Sequence, residues 1–193
     1  MPSISRDSLL TLEAYARQRE AFRARVLAHK RDRTVHVGAH VTLIFEDELT
    51  VRYQIQEMLR IEKTFDEAGI RAELEAYTPL VPDGTNLKAT MMIEYEDPEQ
   101  RAAELERLKG IERRAYLRVG ASQIFAIADE DLERENEKKT SAVHFLRFEF
   151  DAATRAALRA GAAMGLGIDH PRYSERIEPL RPDVLASLLR DFD

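Results

Sequence analysis

Apolar residues recur at helical spacing through Leu9, Leu12, Ala16, Phe22 and Val26, after the polar run Ser5-Arg6-Asp7-Ser8. Ser5 or Asp7 can accept from the first free backbone N–H groups, so a helix is expected from here to about Lys30. The period then changes. Val35, Val37, Ala39, Val41, Leu43 and Phe45 alternate with His36, Gly38, His40, Thr42 and Ile44, which predicts one strand with a buried face. Asp47-Glu48 ends it. A second helix is expected from Thr50 to Glu67 or Ala68, with Gly69 as its stop. Leu49, Val51, Tyr53 and Ile55 also alternate, so its first residues could instead complete a hairpin. Ile70 to Tyr77 reads as a further short helix, and Pro79-Leu80-Val81-Pro82-Asp83-Gly84 as a turn.

Alternation returns at Leu87, Ala89, Met91, Ile93 and Tyr95, a second strand. Asp97 caps a helix with Pro98 at its first position, ending at Gly110. Two short strands are predicted near 114–119 and 124–128, around Gly120-Ala121. The charged stretch 129–139 reads as a loop or exposed turn. Residues 142–150 are apolar on both faces and are therefore expected to form a central strand. Asp151 caps a helix over 152–160. Met164-Gly165-Leu166-Gly167-Ile168 suggests a last strand, 169–173 an irregular stretch, and Pro182-Asp183 a final helix. The chain thus divides into a helical part (5–77), a sheet-rich part (86–170) and a C-terminal helix (182–190). No repeat or linker splits it. The strands are mostly not separated by crossover helices, so the expected fold class is α+β: a single domain with a mixed, largely antiparallel sheet packed against helices.

Composition narrows the chemistry. The 193 residues include no cysteine, which removes disulfides, thiolate catalysis, iron–sulfur ligation and cysteine-bound zinc. No flavin, haem or nicotinamide fingerprint is visible, so no cofactor is expected. No apolar run approaches the ~20 residues of a membrane span, and the first residues lack the apolar region of a secretory signal, which points to the cytoplasm. The net charge of −6 argues against nucleic acid. Residues 1–33 depart from that balance, with eight basic against four acidic side chains. Such a run is either a solvated helix face or a site for an anion or acidic partner. No G-x-x-x-x-G-K-[ST], G-x-S-x-G or H-E-x-x-H occurs, and Gly165-Leu166-Gly167 lacks the third glycine of a dinucleotide fingerprint.

Charge also falls on apolar stripes. At about 100° per residue, Val51, Ile55, Met58, Phe65 and Gly69 share a helix face, with Glu62 in its middle, Gln54 beside it and Glu57 nearer the edge. Leu12, Ala16 and Val26 define a face of the first helix that carries Arg19 and Arg23. A buried charge is costly unless paired, so the two stripes are expected to meet with Glu62 against Arg19 or Arg23. That arrangement is either a structural ion pair or a polar pocket for a small anion or a metal. Arg19, Arg23, Gln54, Glu57, Arg60 and Glu62, with His144, form the candidate ligand-binding set. His144 shares a face with Leu146, Phe148 and Phe150 and is expected inside. Any metal would need a carboxylate and histidine set such as Glu62, His144 and His170.

The chain resembles an uncharacterised bacterial family of unknown function. The resemblance spans nearly the whole chain and rests on Phe45-Glu46, the run Thr50-Val51-Arg52-Tyr53-Gln54-Ile55-Gln56-Glu57-Met58-Leu59-Arg60-Ile61-Glu62, Pro82-Asp83-Gly84, Ala89-Thr90-Met91-Met92-Ile93-Glu94, Thr140-Ser141-Ala142-Val143-His144-Phe145 and Asp169-His170-Pro171. It implies a cytosolic protein encoded beside rubrerythrin-like proteins and iron–sulfur oxidoreductases, and hence an accessory role in oxidative-stress or anaerobic redox chemistry. Two functions follow. One is a redox partner protein docking through the basic first helix or the acidic 129–139 stretch. The other is a small enzyme or ligand-binding protein, its arginines holding an anionic molecule while Glu62 moves a proton.

Overall fold

A computed structural model describes residues 4–130 and 138–192. Its first helix, α1 (Leu12–Arg31), starts later than the sequence suggests. Ser5 caps only a short 3-10 turn over Arg6–Ser8, and Thr11 caps α1 by accepting from the Ala14 N–H at 3.2 Å.

The expected single strand over 35–45 is a hairpin of β1 (Thr34–Val37) and β2 (Val41–Glu46). Gly38 takes φ 70°, and the chain reverses through residues 38–40. A three-residue turn preserves parity: Val37 pairs with Val41 and Val35 with Leu43, so Val35, Val37, Val41, Leu43 and Phe45 still face one core, while Ala39 is exposed in the turn. Helix α2 (Glu48–Glu62) follows, capped by Asp47, whose carboxylate accepts from the Thr50 N–H at 3.0 Å. It does not run on to Ala68. Lys63 adopts a left-handed φ of 54°, and the Thr64 N–H bonds the Leu59 carbonyl. Asp66 then caps α3 (Glu67–Tyr77) by accepting from the Gly69 N–H at 2.9 Å. Gly69 is therefore inside a first helical turn, where a Cβ would come within 2.4 Å of the Thr64 methyl group.

The remaining elements are β3 (Asn86–Ile93), α4 (Pro98–Arg107), β4 (Ala115–Val119), β5 (Ser122–Phe125), β6 (Ile127–Ala128), β7 (Val143–Glu149), α5 (Ala152–Arg159), β8 (Met164–His170), β9 (Tyr173–Ile177) and α6 (Pro182–Leu189). They form two sheets, ordered β1-β2-β3-β7-β6 and β5-β4-β8-β9. Every described pairing is antiparallel, so the fold is α+β with two antiparallel sheets rather than one mixed sheet. The middle of the larger sheet is β3. β7 lies between it and the two-residue β6, and its Val143 and Glu149 are exposed. The stretch expected to be irregular instead closes the β8–β9 hairpin around Pro171-Arg172. Most of the acidic 129–139 stretch lies outside the described residues.

Two apolar clusters result. The larger lies between the inward faces of the two sheets: Leu43, Phe45, Leu87, Met91 and Phe148 join Leu117, Leu166 and Ile168, closed by Leu158 of α5 and Leu188 of α6. The smaller holds the helices together through Ile4, Leu9, Val51, Ile55, Leu59 and Ile70. Tyr173 ties the sheets: its hydroxyl donates to the Val37 carbonyl at 2.6 Å and accepts from the His40 N–H at 3.0 Å. Among the described residues no helix is long and apolar enough to cross a membrane.

Candidate functional site

The helix–helix ion pair exists, but with different residues. The buried stripe of α2 is Val51, Ile55 and Leu59. Phe65 and Gly69, which set the expected phase, lie beyond the helix, and Phe65 is 79% exposed. Glu62 is therefore the exposed last residue of α2 and meets neither Arg19 nor Arg23, and Arg23 is itself exposed. The buried residues of α1 are Tyr15 and Val26; Leu12 is partly buried against the smaller cluster and Ala16 is exposed. That phase points Arg19 at Glu57, where its Nε and Nη2 donate to the two carboxylate oxygens at 2.8 and 2.9 Å. The Tyr15 hydroxyl donates to Glu57 Oε1 at 2.6 Å and Arg60 to Oε2 at 3.1 Å. Bonding to Arg19 outweighs burial and, with Tyr15 and Arg60, holds the Glu57 carboxyl down at about 2. All its lone pairs are engaged, so this is a clamp between helices. Gln54 lies apart, on a cleft beside the larger sheet.

His144 is fully buried, as expected. Its Nδ1 is 2.5 Å from Asp129 Oδ2, and its Nε2 is 3.0 Å from both Thr140 Oγ1 and the Ser141 carbonyl oxygen. Thr140 donates onward to Glu112 at 3.3 Å. With both ring nitrogens engaged and no exposure, His144 cross-links the β7 end of the sheet. His170 is also buried, with Nδ1 accepting from the Arg172 N–H and Nε2 3.2 Å from the Lys109 carbonyl oxygen. Glu62, His144 and His170 stand on α2, β7 and β8. Among the described residues no three His, Asp or Glu side chains are grouped to hold a metal ion.

The side chains that do converge on open space are ones the sequence reading passed over. A cavity of about 400 Å³ is lined by His29, Arg33, Asp47, Glu48, Arg190 and Asp191. His29 belongs to the last turn of α1, Asp47 caps α2, and residues 190–192 form a 3-10 turn after α6. Arg33, 1% exposed, organises the site. Its Nε donates to the Phe45 carbonyl at 2.8 Å, its Nη2 to the Glu46 carbonyl at 3.0 Å, and both Nη atoms to the Asp191 carboxylate at 3.2 and 2.5 Å. Asp47 Oδ2 lies 3.5 Å from Arg33 and 2.5 Å from His29 Nε2.

The two carboxyls are driven apart. Burial pushes Asp191 up to about 6, against the pull of Arg33 and with repulsion from Asp47 adding to the rise. Burial also raises Asp47, but Arg33, the Thr50 N–H and His29 together outweigh it and leave this carboxyl lowered. An ionised Asp47 accepts from His29 Nε2–H, so in the neutral imidazole the lone pair falls on Nδ1. Arg190 is exposed on the cavity wall and has no ion-pair partner among the described residues. The arrangement offers an oriented base, a carboxyl that titrates near neutrality and an unspent guanidinium.

Residues 3–192 match the family described as a protein of unknown function (DUF3501). The chain is also similar to a solved crystal structure of a novel protein of unknown function from Burkholderia pseudomallei, with 60% identity, complete coverage of both chains and a TM-score of 0.95. No curated protein matches it. With nearly every residue inside the family's match, the chain belongs to the DUF3501 family of proteins of unknown function.

Proposed function

We propose that the protein binds a small anionic molecule in the His29–Arg33–Asp47–Asp191 cavity and moves a proton on it. Arg190 takes the ligand's anionic group through its forked donors. His29 Nδ1 accepts a proton, Asp47 holds the imidazole in the required tautomer, and Asp191 returns a proton as the acid. The observation that carries this reading is the convergence of His29, Asp47, Arg190 and Asp191 on one cavity, with His29 Nε2 2.5 Å from Asp47 Oδ2; the opposite displacement of the two carboxyls, Asp47 down and Asp191 up, agrees with it. Thermal unfolding with succinate, acetate or inorganic phosphate tests it. At least one should raise the melting temperature, and Arg190→Met should abolish the rise. If none of the three does so at about 10 mM, the reading fails.

A docking role beside a rubrerythrin-like protein or an iron–sulfur oxidoreductase, in the cytoplasm, draws support from α1. Arg17, Arg23 and Arg25 are exposed there beside Leu27, itself 47% exposed. Such a face suits an acidic partner surface. Binding at low ionic strength that weakens with salt and in Arg23→Glu is the expected result; no binding at low salt to either candidate would dismiss it.

A further inference from the structure

The two apolar clusters do not merge. Between them, the outward face of the larger sheet meets α2 and α3 across a separate cleft of about 280 Å³. That size is at the small end of ligand cavities. Ile44, Met92, Phe145, Tyr77 and Leu80 supply apolar walls, and the polar side chains of Lys30, Glu46, Thr50, Gln54 and Thr90 interrupt them. Glu46 is half-buried, its Oε2 accepting from the Thr50 hydroxyl at 2.5 Å and its Oε1 from the Thr90 hydroxyl at 2.6 Å. Each carboxylate oxygen keeps a lone pair, and no described cation pairs with it. Lys30, half-buried at another wall, likewise has an ammonium without a partner among the described residues. Gln54 and the Tyr77 hydroxyl likewise have no hydrogen-bond partner among the described residues.

Opposite charges that share a cleft and yet lie too far apart to pair are each left poorly neutralised in an apolar setting. A ligand carrying both complementary charges on a short backbone, with an apolar body, corrects both at once. We infer that this cleft binds a free amino acid with a large apolar side chain, its ammonium on Glu46, its carboxylate on Lys30, and its side chain against Phe145, Met92 and Tyr77. The site is separate from the His29 cavity and does not depend on the function proposed for that cavity.

Calorimetric titration of the full chain with L-phenylalanine, L-methionine and L-leucine tests the inference. At least one should bind, and its single-charge analogues should bind at least tenfold more weakly; for phenylalanine these are phenethylamine and 3-phenylpropionate. Glu46→Gln and Lys30→Met should each weaken the amino acid at least tenfold. Glu46→Gln should spare the carboxylate-only analogue and Lys30→Met the amine-only one. Among the described residues Lys30 makes no side-chain contact with a polar partner, so Lys30→Met carries the test alone if Glu46→Gln does not fold. No heat with any of the three amino acids at about 10 mM, or affinities unchanged in Lys30→Met, overturns it.

Discussion

Asp191 should report its burial in the folding equilibrium. Its side chain is 7% exposed, and its carboxyl rises from an ordinary 3.8 to about 6. A raised folded value means that the folded protein holds the proton more tightly than the unfolded chain. The linked stabilisation is complete below the unfolded value and is lost as pH rises through the folded one. With these two values the Asp191 contribution is about 0.1 kcal/mol near pH 7 and about 1.4 kcal/mol near pH 5. Other carboxyls titrate in the same range, so the measurement is a comparison with Asp191→Asn, in which they cancel. Urea unfolding of both proteins at the two pH values gives the stabilities. The wild-type advantage, or deficit, relative to Asp191→Asn should shift in favour of the wild type by about 1.3 kcal/mol from pH 7 to pH 5. A difference that is constant within about 0.3 kcal/mol, or that moves the other way, would refute the reasoning. The guanidinium fork of Arg33, not burial, would then govern this carboxyl, and Asp191 could not serve as the acid near neutral pH.

Tyr15→Phe removes a buried hydroxyl that donates to an ionised carboxylate and should cost about 1.5–3 kcal/mol in chemical denaturation, whereas Glu62→Ala should stay within about 0.5 kcal/mol. Glu57 behaves oppositely to Asp191: its depressed carboxyl stabilises above its ordinary 4.5, and that support is lost as pH falls toward about 2. Glu57→Gln should therefore lose less stability than the wild type on acidification through this window, as read by circular dichroism. Gly167 faces Tyr116 across the β4–β8 ladder, and a Cβ there would sit 2.4 Å from the tyrosine ring. Gly167→Ala should cost about 1–3 kcal/mol by displacing that ring, and a lowered melting temperature with unchanged far-ultraviolet dichroism would register it.

Much of the fold is legible because it rests on local periods. The core-facing set Val35, Val37, Leu43 and Phe45 stands out by alternation alone, and the capping residues Asp97 and Asp151 by their position before apolar runs. Alternation cannot reveal the turn at Gly38, since a three-residue reversal keeps the same parity. Counting Phe65 and Gly69 as helix shifts the phase of α2 and puts Glu62 in the place of Glu57 as the partner of Arg19. Asp47 was visible only as a polar stop after a strand, though Thr50 three residues on is the partner a helix cap requires. His29, Arg33 and Asp191 carried no signal, because what makes them a site is a contact across 158 residues that no local pattern encodes.

That separation also bears on how the protein is made. The carbonyls of Phe45 and Glu46 reach Arg33 as soon as the β1–β2 hairpin forms, and Asp47 arrives with them. The carboxylate that forks with the guanidinium is translated 158 residues after Arg33, about eight to thirty seconds later at roughly 5–20 residues per second. Until then, sealing the sheets over Arg33 would bury an under-neutralised charge, so hydration of the guanidinium favours a nascent chain that stays open at this corner. The arginine thereby discourages premature closure on the ribosome and leaves this corner of the core to be completed by the segment that carries Asp191.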